Sequence, residues 1–401
     1  MIKFKWETEF KQTEIGEVPG EWGVRKVGDI IKIKYGKGLP SKNRKEGNVP
    51  VFGSSGVVGY HNSFVAKGPG LIIGRKGNIG SVYLSKTNFF PIDTVFYAEE
   101  VNDAHFMYYL LSQVNLQQLM SDSAVPGLNI NFLKNVFIPY PPSPEQSRIA
   151  TVLSWFDDLI ENKKRQNEIL EKVAMAIFKS WFVDFEPFKD EKFVYNEELG
   201  KEIPKGWEVQ GVSAFADISL GGTPKREESK YWNGSIKWAT AKDVANTKGI
   251  YILETAEYIS EEGLNHSNAK ILPQDSIIIT ARGTVGEIRL LGEAISFNQT
   301  CYGLIPKNNI GTYYLFLSLK HTLHEIKALS YGTVFDTITM KTFDEMKILV
   351  PPPPIIQKFH SLVEPLFQKI ILNQKQIMVL RKVRDALLPM LVFGRLRVVE
   401  V

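Results

Sequence analysis

Two long segments with a helical apolar period decide the fold of this chain. The first reads IATVLSWFDDLIENKKRQNEILEKVAMAIFKSW over residues 149–181, and the second reads FHSLVEPLFQKIILNQKQIMVLRKVRDALLPML over residues 359–391. Steps of four and three residues select ten positions in each segment, of which eight are apolar, and each position in the second set lies 210 residues after its counterpart. These positions are Ile149, Leu153, Phe156, Ile160, Lys163, Asn167, Leu170, Ala174, Ile177 and Trp181, then Phe359, Val363, Leu366, Ile370, Asn373, Ile377, Leu380, Arg384, Leu387 and Leu391. A shared heptad phase predicts two helices with a coiled-coil seam.

We expect the two helices to pair with each other, because neither can bury its seam alone. A compact region separates them in the chain, which favours an antiparallel pair. About 35 residues at 1.5 Å each span roughly 50 Å. The polar seam residues are expected to fix the register. Pro365 predicts a kink near the start of the second helix or the first turn of a shorter one. The alternative is two amphipathic helices that pack on separate cores.

The rest of the chain also contains an internal repeat. Three motifs recur in the same order: a turn that ends at Trp22 and at Trp207, a Gly-x-x-Gly loop at residues 77–80 and 283–286, and a proline run before Gln146 and before Gln357. The distance between copies grows from 185 to 211 residues, so the second copy carries insertions, mostly between its Trp and its Gly-x-x-Gly loop. We therefore predict four segments: head 1 (residues 1–144), arm 1 (145–190), head 2 (191–355) and arm 2 (356–401).

Each head mixes strand and helix patterns. Apolar runs bounded by turn residues predict strands at 49–53, 70–74 and 81–84, and at 276–280 and 287–291. Helical periodicity predicts helices near 104–120 and 312–328. The expected fold class is α+β, with two mixed α/β domains joined by two long helices that form an antiparallel coiled coil with a pseudo-two-fold internal repeat.

Composition excludes several classes of protein. The chain has 401 residues, of which 44% are hydrophobic and 23% charged, as in ordinary globular proteins of more than one domain. A lone cysteine, Cys301, excludes an internal disulfide. The sequence lacks a signal peptide pattern and an apolar run of about 20 residues, so we expect a soluble, cytoplasmic protein that does not bind membranes. A net charge of +4 does not by itself indicate nucleic acid.

The sequence offers no catalytic motif and no metal site. A nucleotide-binding GxxxxGK[ST] loop, HExxH, G-x-S-x-G and the Asn-Pro-Pro-aromatic motif of amino-methyltransferases are all missing. Asp184, Asp190 and Lys192 resemble a nuclease carboxylate set only loosely and fit a charged linker better. His321 and His324 are expected to be surface residues on a helix. Two duplicated heads without chemistry indicate recognition.

Basic and amide side chains are the candidate contacts to nucleic acid. Residues 30–45 contain six basic residues and no acidic one, which indicates either a solvated loop or an edge that follows phosphates. In the Gly-x-x-Gly loops, glycine permits a tight hairpin, and it also lets N–H groups and a cation approach a phosphate or a base. The candidates in head 1 are Lys34, Lys37, Lys42, Arg44, Lys45, Arg75, Lys76 and Asn78.

Head 2 contributes a second set of candidates. A Gly-Gly-Thr-Pro-Lys-Arg turn precedes Tyr231, Trp232 and Trp238, which suits nucleic acid contact or a tryptophan-rich core with a charged turn. Asn and Gln can bond adenine in the major groove, or they can be ordinary residues at a strand end. The candidates are Thr223, Lys225, Arg226, Lys242, Arg282, Thr284, Asn298 and Gln299. Gln299 matches Asp93 of head 1 in position, a difference expected of heads that read different sequences.

Taken in order and twice, these motifs resemble the specificity (S) subunit of type I restriction-modification systems over nearly the whole chain. The resemblance rests on the openings IGEVPGEW and LGKEIPKGW, the Gly-Gly-Thr-Pro-Lys-Arg turn, the Gly-x-x-Gly loops, the proline runs and the ending ALLPMLVFGRL at 386–396. Head 1 departs from it, with Tyr35-Gly36-Lys37-Gly38-Leu39-Pro40 in place of Gly-Gly-Thr-Pro, and Ser143 breaks its proline run.

The resemblance implies a non-catalytic subunit of a DNA adenine methyltransferase or type I restriction endonuclease complex. Each head would be a target recognition domain for one half of a bipartite double-stranded DNA site. The arms would set the half-site spacing and dock two methyltransferase (M) subunits, which restriction/translocase (R) subunits join. This chain would bind no cofactor; S-adenosylmethionine would belong to the methyltransferase, and ATP and Mg to the nuclease. The alternative is a two-headed coiled-coil scaffold for proteins that does not bind DNA.

Overall fold

The computed structural model describes residues 2–99, 101, 103–119, 127–307, 310–329 and 337–400. The chain divides into two compact units. The first unit comprises Met1–Ile160 with Val379–Val401, and the second comprises Glu161–Met378. Each long helix is thus shared between the units, whereas the boundaries predicted above treat the arms as separate segments and stay a prediction.

Head 1 is built from short strands and three short helices in its described part. The strands are β1 (Ile2–Trp6), β2 (Phe10–Thr13), β3 (Gly16–Pro19), β4 (Gly23–Lys26), β5 (Lys34–Tyr35), β6 (Val49–Gly53), β7 (Gly56–His61), β8 (Gly70–Gly74), β9 (Val82–Ser85), β10 (Phe90–Pro91), β11 (Val95–Ala98) and β12 (Phe137–Tyr140). The helices are α1 (Val27–Ile30), α2 (Ala104–Gln113) and α3 (Ile130–Lys134). The predicted strands at 49–53 and 70–74 coincide with β6 and β8.

The predicted helix at 104–120 is too long. Helix α2 ends at Gln113, because Val114 adopts extended backbone angles, and a 3₁₀ turn follows at Leu116–Leu119. Met120 lies outside the described residues.

The core of head 1 lies on both faces of a sheet with the order β5-β11-β8-β9. Alternate residues of β8 face opposite sides: Leu71 and Ile73 belong to the cluster that includes α2, and Ile72 belongs to a cluster with Phe52 and Phe89. Burial on both faces explains why β8 is a continuous apolar run. A second sheet has the order β10-β6-β7, with β10 parallel to β6.

Arm 1 consists of helix α4 (Ser143–Phe182). Head 2 then repeats the plan of head 1 with β13 (Phe193–Asn196), β14 (Lys201–Pro204), β15 (Glu208–Gly211), β16 (Ala216–Leu220), β17 (Trp232–Ala239), β18 (Tyr251–Ile252), β19 (Glu257–Ile259), β20 (Ile271–Leu272), β21 (Ile277–Thr280), β22 (Ile288–Leu291), β23 (Ile295–Phe297), β24 (Cys301–Pro306) and β25 (Lys347–Val350). Its helices are α5 (Ala241–Asn246), α6 (Glu261–Asn265), α7 (Thr312–Leu329) and α8 (Met340–Glu345). The predicted strands and helix agree with β21, β22 and α7 to within one residue at each end.

The sheets of head 2 are larger because of the predicted insertion. Their orders are β16-β24-β21-β22-β18 and β19-β17-β23-β20. Strands β18 and β20 occupy the ends of these two sheets. Both lie between Trp207 and the Gly-x-x-Gly loop at 283–286, where the growing offset places the extra residues.

Arm 2 consists of helix α9 (Pro353–Val392), and strand β26 (Leu396–Glu400) ends the chain. Helix α9 runs through Pro365, so the expectation of a shorter helix that begins there is wrong. Val363 and Phe367, on either side of the proline, are both 0% exposed, and Pro365 itself is exposed. Burial of the flanking side chains holds this turn in the helix despite the missing N–H group.

The predicted seam positions lie on the faces of α4 and α9 that are turned away from solvent. All twenty seam positions are buried or half-buried. In the second unit, Asn373 Nδ2 donates to Asn167 Oδ1 at 2.9 Å, while Phe178 packs against Phe359 further along, so α4 and α9 run antiparallel. In the first unit, Arg384 binds Asp157 at 2.5 Å. The seam ends also pack on the head cores, since Ile149 and Leu153 join that of head 1 and Phe359 and Val363 that of head 2.

Candidate nucleic-acid interface

Each head has a set of three loop segments, and the two sets are equivalent in backbone position. We define the loop edge of head 1 as residues 36–45, 75–80 and 92–94, and that of head 2 as residues 221–226, 281–286 and 298–300. In each head, these segments follow the ends of three strands: β5, β8 and β10 in head 1, and β16, β21 and β23 in head 2. Loops carried at strand ends are positioned by a rigid scaffold and are exposed, as binding requires.

Backbone hydrogen bonds place the two Gly-x-x-Gly loops identically. The N–H group of Gly80 donates to Gly74 O, and that of Gly286 donates to Thr280 O, both at 2.9 Å. All four glycines have positive φ, from 74° to 80°. An alanine there would strain the backbone, so the hairpin geometry accounts for the glycines by itself. The positive φ angles thus agree with the hairpin interpretation of this motif, and contact between the flanking side chains and nucleic acid stays a prediction.

The segment that departs from Gly-Gly-Thr-Pro in head 1 lies in the same place as its counterpart. Gly36 N donates to Val95 O at 3.0 Å, as Gly221 N donates to Cys301 O at 3.3 Å. A Cβ atom at Gly36 would lie 1.9 Å from Ile92 O, so this glycine is required. Lys37 replaces Gly222, whose Cβ would strike Asn268 of the insertion at 2.2 Å. In head 2, Gly222 has to be a glycine because Asn268 of the insertion lies against it. Head 1 lacks this insertion, so Lys37 fits at the equivalent position and the loop keeps the same backbone hydrogen bonds.

Two of the basic candidates in head 1 already bind acceptors within the protein. Lys34 binds Glu99, and this hydrogen bond lowers the pKa of the Glu99 carboxyl against the effect of burial. Arg44 Nη1 donates to Val58 O at 2.6 Å, which places its guanidinium against β7. Lys37, Lys42 and Lys45 are exposed. They stay predicted phosphate contacts, because exposed lysines can follow a DNA backbone without displacing an internal partner.

The loop at 75–80 carries its candidates close together. Lys76 and Asn78 are exposed, and Arg75 is half-buried. The Arg75 guanidinium lies over two rings, 5.0 Å from the centroid of Tyr35 and 5.8 Å from that of Phe96. Tyr35 is 51% exposed. Sequence patterns did not single out Tyr35, although an aromatic residue within a basic stretch is a usable signal.

Arg226 of head 2 is bound more tightly than its sequence context predicts. Both terminal nitrogens contact the Glu257 carboxylate, with Nη2 at 2.9 Å from Oε2, and this pair lowers the pKa of Glu257. The guanidinium lies 3.9 Å from the ring centroid of Trp232 and 5.1 Å from that of Trp238. The aromatic residues form a small core on which the charged turn is stacked, as the second interpretation of this turn expected, and contact with nucleic acid stays a prediction.

Amide and hydroxyl side chains occupy the remainder of the head 2 edge. The Thr223 hydroxyl donates to Gln299 Oε1, and the Gln299 side chain is exposed. Asn298 Oδ1 accepts hydrogen bonds from Thr300 N at 3.1 Å and Thr300 Oγ1 at 2.7 Å, which uses its acceptor to shape the turn. The acceptor oxygens of Asn298 and Gln299 are thus both used within the head, and the two residues differ in that Gln299 is exposed and Asn298 half-buried. Three further candidates, all exposed, are Lys242 at the start of α5 and, in the loop, Arg282 and Thr284.

One contact that sequence reasoning missed ties head 2 to arm 2. Gln374 accepts a hydrogen bond from Tyr251 N at 3.1 Å and donates to Tyr251 O at 2.9 Å, so its amide pairs with the backbone of β18. Gln374 is 9% exposed. The sequence signal for this contact is weak: Gln374 follows the seam residue Asn373 directly.

Two further findings concern the described residues as a whole. No helix among them is both long and apolar enough to cross a bilayer. In the same part of the chain, no three His, Cys, Asp or Glu side chains come together as ligands of a metal ion would. Asp184 and Asp190 are exposed.

Comparison with known proteins agrees with the duplicated plan. The family model for the type I restriction modification DNA specificity domain matches residues 19–172 and 204–382. The MjaIX specificity subunit of Methanocaldococcus jannaschii is 38% identical, covering 100% of this chain and 99% of that protein. The HindI specificity subunit of Haemophilus influenzae is 25% identical, covering 68% and 71%. A crystal structure of a type I S subunit from M. genitalium has a similar fold, with a TM-score of 0.62, 23% identity, and coverage of 92% of this chain and 96% of that one. The chain therefore belongs to the family of type I restriction-modification specificity subunits.

Proposed function

We propose that this chain reads a bipartite double-stranded DNA site through its two loop edges and does no chemistry itself. The observation that carries the proposal is the repetition of one backbone edge with different side chains. Arg75, Asp93 and Lys37 in head 1 stand where head 2 has Ala281, Gln299 and Gly222. A shared scaffold with altered donors and acceptors is what two readers of different base sequences require.

The arms set the distance between the two half-sites. Asn167 and Asn373 pair in the seam at 2.9 Å, and Lys163 Nζ donates to Gln376 Oε1 at 2.5 Å. Polar pairs of this kind disfavour shifted registers, because a slip would bury unpaired amide groups. Half-sites read from one side of B-DNA lie roughly 34–36 Å apart per helical turn, within the roughly 50 Å that a 35-residue helix spans.

A second apolar stripe on the arms fits partner subunits. Its members are 40–60% exposed: Trp155, Leu159, Ile169 and Val173 on α4, and Leu362, Leu372, Val379 and Val383 on α9. Val379 and Val383 follow Ile169 and Val173 by 210 residues, so two of the four positions on each arm recur in the other arm. Exposed apolar stripes are typical of protein interfaces. Two copies suit two methyltransferase subunits, which carry S-adenosylmethionine, and a complex that nuclease subunits with ATP and Mg can join.

Removal of one heptad from each arm tests the role of the arms as spacers. Residues 159–165 and 375–381 are suitable, because this choice keeps the Asn167–Asn373 pair and Gln374. Each arm loses about 10 Å, which corresponds to about three base pairs. Modified adenines are mapped in DNA from cells that express the chain with its methyltransferase. We expect both half-site sequences to persist with a shorter spacer. An unchanged spacer would refute this role. The control is Lys164→Ala with Arg165→Ala, which keeps the length.

A gel shift with the methyltransferase present separates DNA reading from the protein-scaffold alternative. Specific retention of the mapped duplex supports the proposal. Complex formation without any preference for that duplex would favour the scaffold.

A further inference from the structure

The loop edge of head 1 carries one arginine that has no counterpart in head 2. Arg75 N donates to Thr94 O at 2.9 Å, and Ala281 N donates to Thr300 O at 2.8 Å. The carbonyls of the same two residues accept from Leu128 N and Ile338 N. Arg75 and Ala281 therefore occupy equivalent points of one scaffold and differ only in side chain.

The guanidinium of Arg75 lies against two aromatic rings, and only one of its N–H groups contacts an acceptor in the described part of the protein. Tyr35 and Phe96 meet edge to face, with centroids 5.0 Å apart, and together they form the platform beneath it. Stacking engages the flat face of a guanidinium and leaves the N–H groups in its plane available. One of them, on Nη1, makes a long contact of 3.4 Å to Asp93 O.

Arg75 differs from Arg226 in its side-chain partners. Arg226 is stacked on Trp232 and has its charge and its fork bound by the Glu257 carboxylate. Within the described ranges, no carboxylate lies at salt-bridge distance from Arg75; its contacts there are two rings and a carbonyl. The Arg75 guanidinium therefore keeps its positive charge without a carboxylate partner in the described residues. Such a group can donate two parallel hydrogen bonds to an external partner that has two adjacent acceptors.

We propose that Arg75 reads a guanine in the half-site bound by head 1, donating to O6 and N7 in the major groove. Guanine presents these two acceptors side by side, which matches the fork of an arginine. Head 2, with Ala281 at this point, reads its half-site without an arginine here, so the two half-sites differ for this reason. The inference rests on the proposed DNA-reading function and specifies the base chemistry of one head.

The test is the adenine methylation motif made by the chain with its methyltransferase, for wild type, Arg75→Ala and Arg75→Lys. We expect one half-site to contain a G·C pair that Arg75→Ala relaxes, with discrimination at this pair falling roughly 5- to 150-fold and the other half-site unchanged. Arg75→Lys keeps the charge but loses the fork, so the same pair is expected to relax. The control is Arg25→Ala, an exposed arginine on β4 of the same head, which is expected to keep the motif.

Several results would overturn the inference. An unchanged motif with evenly reduced methylation, restored by Arg75→Lys, would make Arg75 a phosphate contact. Relaxation at an A·T pair or in both half-sites would also exclude guanine reading by head 1. Should Arg75→Ala abolish methylation, the purified complex, checked for folding by circular dichroism, is tested against duplexes substituted at each position; equal loss on all of them refutes the inference. A wild-type complex that yields no bipartite motif would instead refute the proposed function.

Discussion

Replacement of Arg397 by alanine is expected to destabilise the first unit strongly. Arg397 lies on β26, which pairs antiparallel with β1. Its Nε and Nη2 bind the Glu145 carboxylate at 2.6 and 2.7 Å, its Nη1 binds Glu7, and Nη2 lies 3.2 Å from Glu21. Trp22 Nε1 also donates to Glu145 at 3.0 Å. This cluster joins both ends of the chain to the first turn of α4.

Burial sets the magnitude of the effect. Arg397 is 7% exposed, and Glu145 is 2% exposed. Loss of the guanidinium leaves the Glu145 carboxylate buried with only an indole N–H as a side-chain partner, and it also leaves Glu7 without its cation. Removal of one partner from a buried ion pair costs about 3–5 kcal/mol, because the remaining charge is uncompensated. We expect a loss in this range in the free energy of unfolding.

Urea unfolding of the purified chain gives this free energy, and hydrogen exchange of the β1 and β26 amides localises the loss. The matched control is Arg395→Ala, two residues earlier in the chain, where the arginine is half exposed, pairs with Glu17 at 3.2 Å and lies over Phe10. An exposed pair contributes about 0–1 kcal/mol. A double variant, Arg397→Met with Glu145→Gln, removes the uncompensated charge and is expected to recover part of the loss. Equal effects of Arg397→Ala and Arg395→Ala would refute the reasoning.

The same cluster predicts a dependence on pH. Burial raises the pKa of the Glu7 carboxyl, but hydrogen bonds from the N–H groups of Glu9 and Thr8 and from Arg397 outweigh it, so the pKa is lowered from 4.5. A carboxyl whose pKa is lower in the folded protein stabilises it at pH values above its unfolded pKa. That contribution is lost as the pH falls through the folded pKa. Arg397→Ala is expected to weaken this acid dependence, measured by urea unfolding between neutral pH and the acid range.

Two more substitutions test other contacts. Gln374→Ala leaves the N–H and C=O groups of Tyr251 without their partner and is expected to cost about 1–3 kcal/mol per group in urea unfolding, whereas Gln357→Ala, at an exposed position on the same helix, is expected to cost little. Gly283→Ala is expected to cost roughly 1–2 kcal/mol through its positive φ alone, because its Cβ would meet no atom within 4 Å. Gly80→Ala is expected to cost more, because its Cβ would also lie 3.0–3.1 Å from residues 116 and 117, and the reverse order would contradict this packing.

Sequence patterns predicted the elements whose burial is periodic. The arms were predictable because one face of each helix is buried along its length, and β6 and β8 were predictable because turn residues bound short apolar runs. The break after Gln113 was missed, since helical periodicity continues across Val114 into a 3₁₀ turn. Local pattern does not register a change of backbone angles at a single residue.

Contacts between distant residues were not predictable in the same way. Arg226 and Glu257 are far apart in the chain, and only the fold of the insertion brings Glu257 on β19 to the turn. The pairing of β1 with β26 joins the two ends of the chain, and a single sequence contains no signal of which strand pairs with which. The candidate positions could therefore be listed from the sequence. Which of their side chains already bind another residue of the protein could not, because those residues lie far away in the chain.

The way in which the loop edges are held together explains how they can differ between heads. At equivalent points the bonds that shape them are made by backbone atoms: Gly80 to Gly74 and Gly286 to Thr280 within the loops, and Arg75 to Thr94 and Ala281 to Thr300 beneath them. A backbone bond is indifferent to the side chain it carries, so an arginine and an alanine can exchange there without altering the scaffold. The glycines cannot exchange, because their positive φ angles fix the turns. Variation of the target sequence is therefore expected to be confined to the non-glycine positions of these edges, while the seam, whose side chains make the contacts themselves, admits few changes.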